Sequence, residues 1–394
     1  MNNSSELKII VYVKRRGRIF LIVLIAIIDV ALAMAFITYK QKNEELQRAL
    51  EEENRKVPEN TLKTAEVFDL SVVEPEIKEE KVVTNTSRPW YYVDVYGDTE
   101  LVYAPPAGRK GYRYGPSIMK YKSGLMDMWI SRPGNNSTAW DYITYRHYNY
   151  GEWTEEEVVL SPTPGSKDQC SCCDPGVIYF GGYYYLGYTG TANYAMEGMD
   201  NSAFVARSEN PNGPFEKWNG SGWGGNPEPI IPFTGDQVLW GIGEVSFVIK
   251  EDTLYIYYTH SDQFGIYTKL CTADLSENWP ATIEYKGVVS TRFTEDSYDV
   301  VYAEDLDNFL AFSIGDRMAE TSYLKVLWSA YGKDFVTAAE VKAGIPNFAH
   351  NLGIIKDEHG HIDTRQMQTI GYAYGPEWGA WPMILQNIKL NRSN

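Results

Sequence analysis

One segment pattern recurs five times along this chain, and that recurrence constrains the fold more than any other feature of the sequence. Each copy has a polar residue, a short apolar strand, a turn, and an aromatic strand that often ends in Ser or Thr. It reads YGPSIMKYKSGLMDMWIS from Tyr114, CDPGVIYFGGYYYLGYT from Cys173, GEVSFVIKEDTLYIYYT from Gly243 and YDVVYAEDLDNFLAFS from Tyr298. A weaker fifth copy, AHNLGIIKDEHGHID from Ala349, is followed by the strand-like TIGYAYG. With Gly115, Asp174, Glu244, Asp299 and His350 set as equivalent, successive copies lie 59, 70, 55 and 51 residues apart. Each interval holds four strands of about five or six residues with their turns, the size of one propeller blade. The sequence therefore predicts an all-β, five-bladed β-propeller over residues 90–394. A pair of β-sandwiches does not explain matching registers at five places.

Local signals agree. Gly181-Gly182 and Glu251-Asp252 stand where two strands must reverse. Aromatic residues make up 14% of the chain, with 30 Tyr and 11 Trp, which favours pleated strands and flat ligands such as sugars. Thr337–Lys342 is the best candidate for a short helix. With 36 basic against 52 acidic residues the net charge is −16, so the chain repels nucleic-acid phosphates and that class of partner is excluded.

Ahead of the repeats the texture is different. Ile19–Ile37 is a run of 19 residues, apolar except for Asp29, preceded by Lys14, Arg15, Arg16 and Arg18. At about 1.5 Å per residue it reaches about 28 Å, close to the hydrocarbon thickness of a bilayer. The basic flank predicts a single-pass plasma-membrane protein with a cytoplasmic segment 1–18, a transmembrane signal-anchor 19–39 and everything later outside the cell. Cleavage as a signal peptide is the alternative, with Ala31-Leu32-Ala33 and Ala33-Met34-Ala35 as cleavage-like sites, but the apolar run is long for that purpose. Asp29 is either a polar contact with a partner membrane helix or a single tolerated carboxylate. Residues 40–89, acid-rich and low in aromatics, read as a helical and extended stalk.

The register carries the chemistry. The residue opening the innermost strand of each blade faces one mouth of the central channel. That places Asp174, Glu244, Asp299 and His350 together, with Gly115 leaving room in the first blade. Three carboxylates converging on one funnel repel one another, so at least one has a raised pKa. One protonated carboxyl and one ionised group are what hydrolysis of a glycosidic bond requires. Strand starts rich in Asp and Glu are the bland alternative.

Two stretches carry a family resemblance. CDPGVIYFGGYYYLGYTG resembles the Asp-Pro blade strand of family 43 glycoside hydrolases and their arabinanase, levansucrase and invertase-like relatives, and FVARSENPNGPFEKW, from Phe204 to Trp218, is similar to their outer-strand texture. The resemblance covers roughly Ala104–Leu390. It implies a general base at Asp174, a general acid at Glu244 and a tuning carboxylate at Asp299, acting by inversion, and likens His350 to a histidine near the channel axis in the fifth blade. The order departs from the family in that Glu244 lies between the two Asp residues, and Gly115 stands in the opening blade where the family base commonly sits.

Trp240, four residues before Glu244, is placed to stack on a sugar or to pack a loop. Arg317 is placed to grip a channel carboxylate or a ligand acid, or to form a salt bridge between blades. Cys170, Cys172 and Cys173 precede Asp174, and Cys271 is the remaining cysteine; their spacing is weak for zinc, and outside the cell a disulfide is expected, with Cys271 as a partner. No cofactor is called for, and a structural metal ion at the channel centre, held by His350 and water, stays open. Two functions follow: a membrane-anchored extracytoplasmic glycosidase, or a propeller that binds glycan or assembles an envelope complex without cleaving anything.

Overall fold

A computed structural model of the chain describes residues 91–392, apart from 108–109, 137–138, 196–197 and 291–295. The expected membrane span at 19–39, Asp29 and the stalk at 40–89 lie outside the described residues. Among the described residues no helix is long and apolar enough to cross a membrane.

The strands group in fours. Blade one is Tyr114–Lys120, Met126–Asn136, Ala139–Asn149 and Glu157–Leu160; blade two is Ser171–Phe180, Tyr183–Thr191, Ser202–Ser208 and Glu216–Lys217. Blade three is Ile242–Lys250, Thr253–Asp262, Gly265–Ala273 and Glu284–Val288, and blade four is Asp299–Ala303, Asn308–Gly315, Tyr323–Ser329 and Val336–Val341. Blade five takes His350–Lys356, Gln368–Ala373 and Met383–Arg392 from the end of the chain, and its outer strand, Tyr91–Tyr103, from the beginning of the repeat region. Strands from both ends of the domain thus share one blade, which protects its edge and fastens the ring.

The ring is visible in the packing. Each inner strand carries two consecutive apolar residues, and because successive side chains point to opposite faces, one enters each flanking interface. Val177 packs with blade one and Ile178 with blade three; Phe247 packs with blade two and Val248 with blade four. Val300 and Ile354 face the preceding blade, while Val301 turns to blade five. The interface between blades five and one holds Ile118, Met128, Ile130, Met383 and Leu385. Full burial of each such side chain contributes about 1.5–3 kcal/mol.

Backbone contacts repeat with the same step. Ser117 Oγ accepts the N–H of Val177 (3.0 Å), Ser246 Oγ that of Val300 (2.9 Å), and Asp299 Oδ2 that of Ile354 (2.8 Å). At the two remaining interfaces the equivalent residue is glycine. A Cβ on Gly176 would stand 1.9 Å from the carbonyl oxygen of Val245, and one on Gly353 would stand 1.8 Å from that of Pro116. Only glycine permits that approach.

The inner strands start at one mouth and end at a floor. The turn Asp357–His361 of blade five crosses that floor, where its carbonyls accept N–H groups from the ends of three other inner strands. Tyr179 donates to Glu358 (2.9 Å), Ile249 to His359 (2.9 Å) and Tyr302 to Gly360 (3.0 Å).

Two local expectations are corrected. Thr337–Lys342 is not helical: Val336–Val341 is the outer strand of blade four, paired with Tyr323–Ser329, and the pairing overrides its helix-forming Ala and Glu. All four cysteines are free and buried, Cys172 in the core between blades one and two and Cys271 in that between blades two and three. The expected disulfide is therefore absent, and the thiols of Cys172 and Cys173 instead face Asp168 (3.5 Å) and Asp174 (3.3 Å).

Candidate functional site

Five residues, one per blade, adopt positive φ beside the mouth: Gly115 (59°), Asp174 (50°), Glu244 (50°), Ser297 (53°) and Asn351 (48°). In four blades a register shift in the inner pair follows at once, between Tyr114 and Ser117, Cys173 and Gly176, Gly243 and Ser246, and His350 and Gly353. Such a bulge re-aims a side chain, here onto the channel axis. For non-glycine residues the left-handed backbone costs about 1 kcal/mol or more each, and strain of this kind clusters at functional sites. Side-chain hydroxyls of the preceding blade hold it. Ser131 accepts the N–H of Asp174 (2.8 Å), Thr189 that of Glu244 (2.9 Å) and Thr259 that of Ser297 (2.9 Å).

Asp174, Glu244 and Asp299 line one axial cavity, as the sequence predicts, although Asp299 does so from a position deeper along its strand; His350 does not line it. In blade four the axial position belongs to Ser297, and Asp299 lies two residues further on, at the strut position of Ser117 and Ser246. Its other oxygen accepts from Lys356 Nζ (2.5 Å) and Ser246 Oγ (2.8 Å), a largely buried ion pair that ties blades three, four and five. In blade five the axial residue is Asn351. His350, 1% exposed, points elsewhere: its Nδ1 donates to the Phe348 carbonyl (3.1 Å) and its ring meets the edge of Trp381 at 4.5 Å. Burial drives its pKa down to about 4, so it stays neutral. The axial cavity, about 40 Å³, is lined by Asn351 and not by His350, so the ring is not placed to hold a metal ion at the channel centre. That volume admits a water or a hydroxyl group, not a sugar ring.

Asn351 Nδ2 donates to Glu244 Oε1 (3.0 Å) and to Asp174 Oδ1 (3.4 Å). Two bonds of those lengths to one nitrogen leave the carboxylate oxygens no more than about 6.4 Å apart. Glu244 Oε2 accepts from Thr259 Oγ1 (2.6 Å). Arg317, on the rim loop after Asn308–Gly315, places Nη1 3.0 Å from Glu244 Oε1 and 3.0 Å from Asp296 Oδ2. Burial, and then the charge of Glu244, push Asp174 up to about 7. Burial likewise pushes Asp296 up to about 6, with Arg317 opposing and Glu244 reinforcing. The two aspartates beside this guanidinium thus titrate well above the ordinary carboxylate range.

Several of these residues had no place in the sequence reading: Asp296, Asn351, Thr189, Thr259 and, on the blade-one side, Asp141, which accepts from Tyr112 Oη (2.5 Å) and Tyr114 Oη (3.3 Å). Tyr112 and Tyr114 pack on Trp381, and Trp378, 69% exposed, stands edge-on to Trp381 at 4.8 Å. Together they form an aromatic wall on the mouth. Trp240 is half-buried on the segment entering blade three, its carbonyl accepting the backbone and side-chain N–H of Asn201 (3.0 and 2.8 Å).

Comparison with solved structures places this geometry among known folds. A family 117 glycoside hydrolase of the marine bacterium Zobellia galactanivorans superposes with a TM-score of 0.55 at 14% identity, over 77% of this chain and 91% of that one. The α-L-arabinofuranosidase of Podospora anserina, solved with cellotriose, gives 0.52 at 14%, over 77% and 98%. That of Lactobacillus brevis gives 0.51 at 11%, over 71% and 91%. The chain has the fold of the five-bladed glycoside hydrolases. No family model and no curated protein sequence matches it.

Proposed function

We propose that this chain is a glycoside hydrolase of the extracytoplasmic face, held to the membrane by residues 19–39, acting on a poly- or oligosaccharide bound at the aromatic mouth. The observation that carries the reading is the meeting of Asp174 and Glu244 on adjacent blades, the first raised by burial and the second set against the Arg317 guanidinium. Asp174, pushed up to about 7, holds a proton it can deliver to a leaving glycosidic oxygen. Glu244, ion-paired to Arg317 and fixed by Asn351 and Thr259, supplies negative charge beside it. These roles are the reverse of those the family resemblance implies, and Asp296 joins the pair through Arg317. The anomeric configuration of the product decides between direct attack by Glu244 and activation of an interposed water, the inverting course that the family resemblance implies.

A second reading, a glycan-binding propeller without turnover, is favoured by two observations. Gly115 puts no side chain on the axis in blade one, and both oxygens of Glu244 are already engaged. A screen of the purified full-length chain on arabino-, xylo-, galacto- and fructo-oligosaccharides separates the two. Hydrolysis by the wild type that is lost in Glu244→Gln and in Asp174→Asn supports the first. Glycan retention without product in any arm establishes the second.

A further inference from the structure

The channel floor, far from the carboxylate site, holds a second cluster of ionisable groups. His361 ends the turn that crosses the floor, and its Nε2 lies 2.5 Å from the carbonyl oxygen of Ile249. A carbonyl only accepts, so Nε2 carries the hydrogen. A neutral ring then presents the lone pair of Nδ1 to Glu304 Oε1, 3.0 Å away. Two acceptors at that distance need a cation between them. Asp357 supplies a third group, its Oδ1 held by the N–H groups of His359 (2.9 Å) and His361 (2.8 Å). The ligand atoms of Glu304, Asp357 and His361 all lie within 4.8 Å of one another.

A proton on Nδ1 answers Glu304 alone. A divalent ion answers both carboxylates and the lone pair. Ligands bound at about 2.1 Å are about 3.4 Å apart in a tetrahedral set and at most about 4.2 Å apart in any set, so side-chain movements of about 0.5–1.5 Å close the three groups around one ion. The hydrogen bond from Nε2 to Ile249 is the outer contact that a metal-binding histidine ordinarily makes to fix its tautomer. One imidazole with two carboxylates suits a first-row transition ion and disfavours calcium or magnesium, which take oxygen ligands. We propose that Glu304, Asp357 and Nδ1 of His361 form a divalent transition-metal site that clamps the floor turn of blade five to blade four. It stands apart from the glycosidase reading and survives its failure.

The test is calorimetric titration of the untagged, chelator-treated full-length chain with Zn²⁺, repeated with Ca²⁺ and followed by thermal unfolding. The expected result is one saturable Zn²⁺ equivalent that raises the melting temperature, with Ca²⁺ at least tenfold weaker. Binding falls at least tenfold in His361→Ala and in Glu304→Gln. Should His361→Ala fail to fold, Glu304→Gln decides, because Glu304 is exposed and the substitution leaves the Ile249 contact intact. Absence of saturable binding, equal affinity for Ca²⁺, or Zn²⁺ affinity unchanged in Glu304→Gln overturns the proposal.

Discussion

Asp174 and Glu244 occupy the same position in neighbouring blades and share a single donor, the side-chain amide of Asn351. That amide comes from a third blade, so the relative placement of the two carboxyls depends on closure of the ring. Asn351→Ala is expected to leave the fold intact, because the amide's bonds are to side chains, and to lower kcat by about 10²-fold while barely moving KM. Steady-state kinetics beside an unfolding curve check both halves. A KM effect alone would place Asn351 in substrate binding.

The titration of Asp174 gives stability a signed pH dependence. Its pKa is raised from 3.8 unfolded to about 7 folded, so the native state binds more protons in that window and stability falls as pH rises from about 4 to about 7. Asp296 acts in the same direction up to about pH 6. His350 acts oppositely: its pKa is lowered from 6.5 to about 4, so stability rises with pH across that interval. Comparison of wild type with Asp174→Asn isolates the first effect. The difference in melting temperature, variant minus wild type, should grow between pH 4 and pH 7 and level off above it; a flat difference would mean that Asp174 is ionised throughout.

Asp299 is a strut, so its removal should be felt in stability. Asp299→Ala leaves Lys356 buried without its carboxylate and frees the N–H of Ile354, a loss of about 3–5 kcal/mol. Replacing Lys356 by Met in the same chain should recover part of that loss. Turnover per folded molecule should persist, as measured by activity normalised to native protein. Lost turnover with an unchanged unfolding curve would return Asp299 to the chemistry.

The repeat made the blade count readable, because five interfaces each demand the same pair of apolar residues. The same step also contained the correct axial register. Ser117-Ile118-Met119, Gly176-Val177-Ile178, Ser246-Phe247-Val248, Asp299-Val300-Val301 and Gly353-Ile354-Ile355 align as one strut residue and two apolar ones, and two places earlier stand Gly115, Asp174, Glu244, Ser297 and Asn351. Alignment on acidic side chains obscured this in blades four and five. Asp299 looked like a member of the axial set because a strut that accepts an N–H is served equally well by a carboxylate or a hydroxyl. Asp296 and Arg317 meet through a rim loop that lies outside the repeat, so no periodicity announces their contact. The cysteines misled for a different reason: spacing says nothing about whether two thiols face one another across separate cores.

Arg317 sets the charge of the whole mouth. It favours the ionised forms of Asp174 and Asp296, and its loss should raise both pKa values further. In Arg317→Ala the alkaline limb of the kcat/KM profile is expected to move up by about one pH unit or more, while the maximal rate falls about 100-fold because Glu244 loses its partner. Arg317→Lys should restore the limb better than the rate, since a shorter side chain supplies the charge without placing a nitrogen where Nη1 meets both Glu244 and Asp296. A limb that stays in place in both variants would remove Asp174 as the proton donor.

The aromatic wall should decide affinity more than chemistry. Trp378 is exposed but not free, its ring held edge-on by Trp381, which in turn packs on Tyr112, Tyr114 and His350. An exposed indole held against Trp381 offers a face to a sugar ring at little entropic cost. Trp378→Ala should raise KM about tenfold, the loss of about 1.4 kcal/mol, with kcat nearly unchanged and the unfolding midpoint within experimental spread. Quenching of tryptophan fluorescence by a non-hydrolysed oligosaccharide, diminished in the variant, gives the same answer without turnover and so applies even to a propeller that only binds. Trp381→Ala should differ in kind, because its buried ring supports His350 and the mouth itself: stability and kcat should fall together. If the two variants behave alike, the wall is a packing element and the substrate lies elsewhere on the rim.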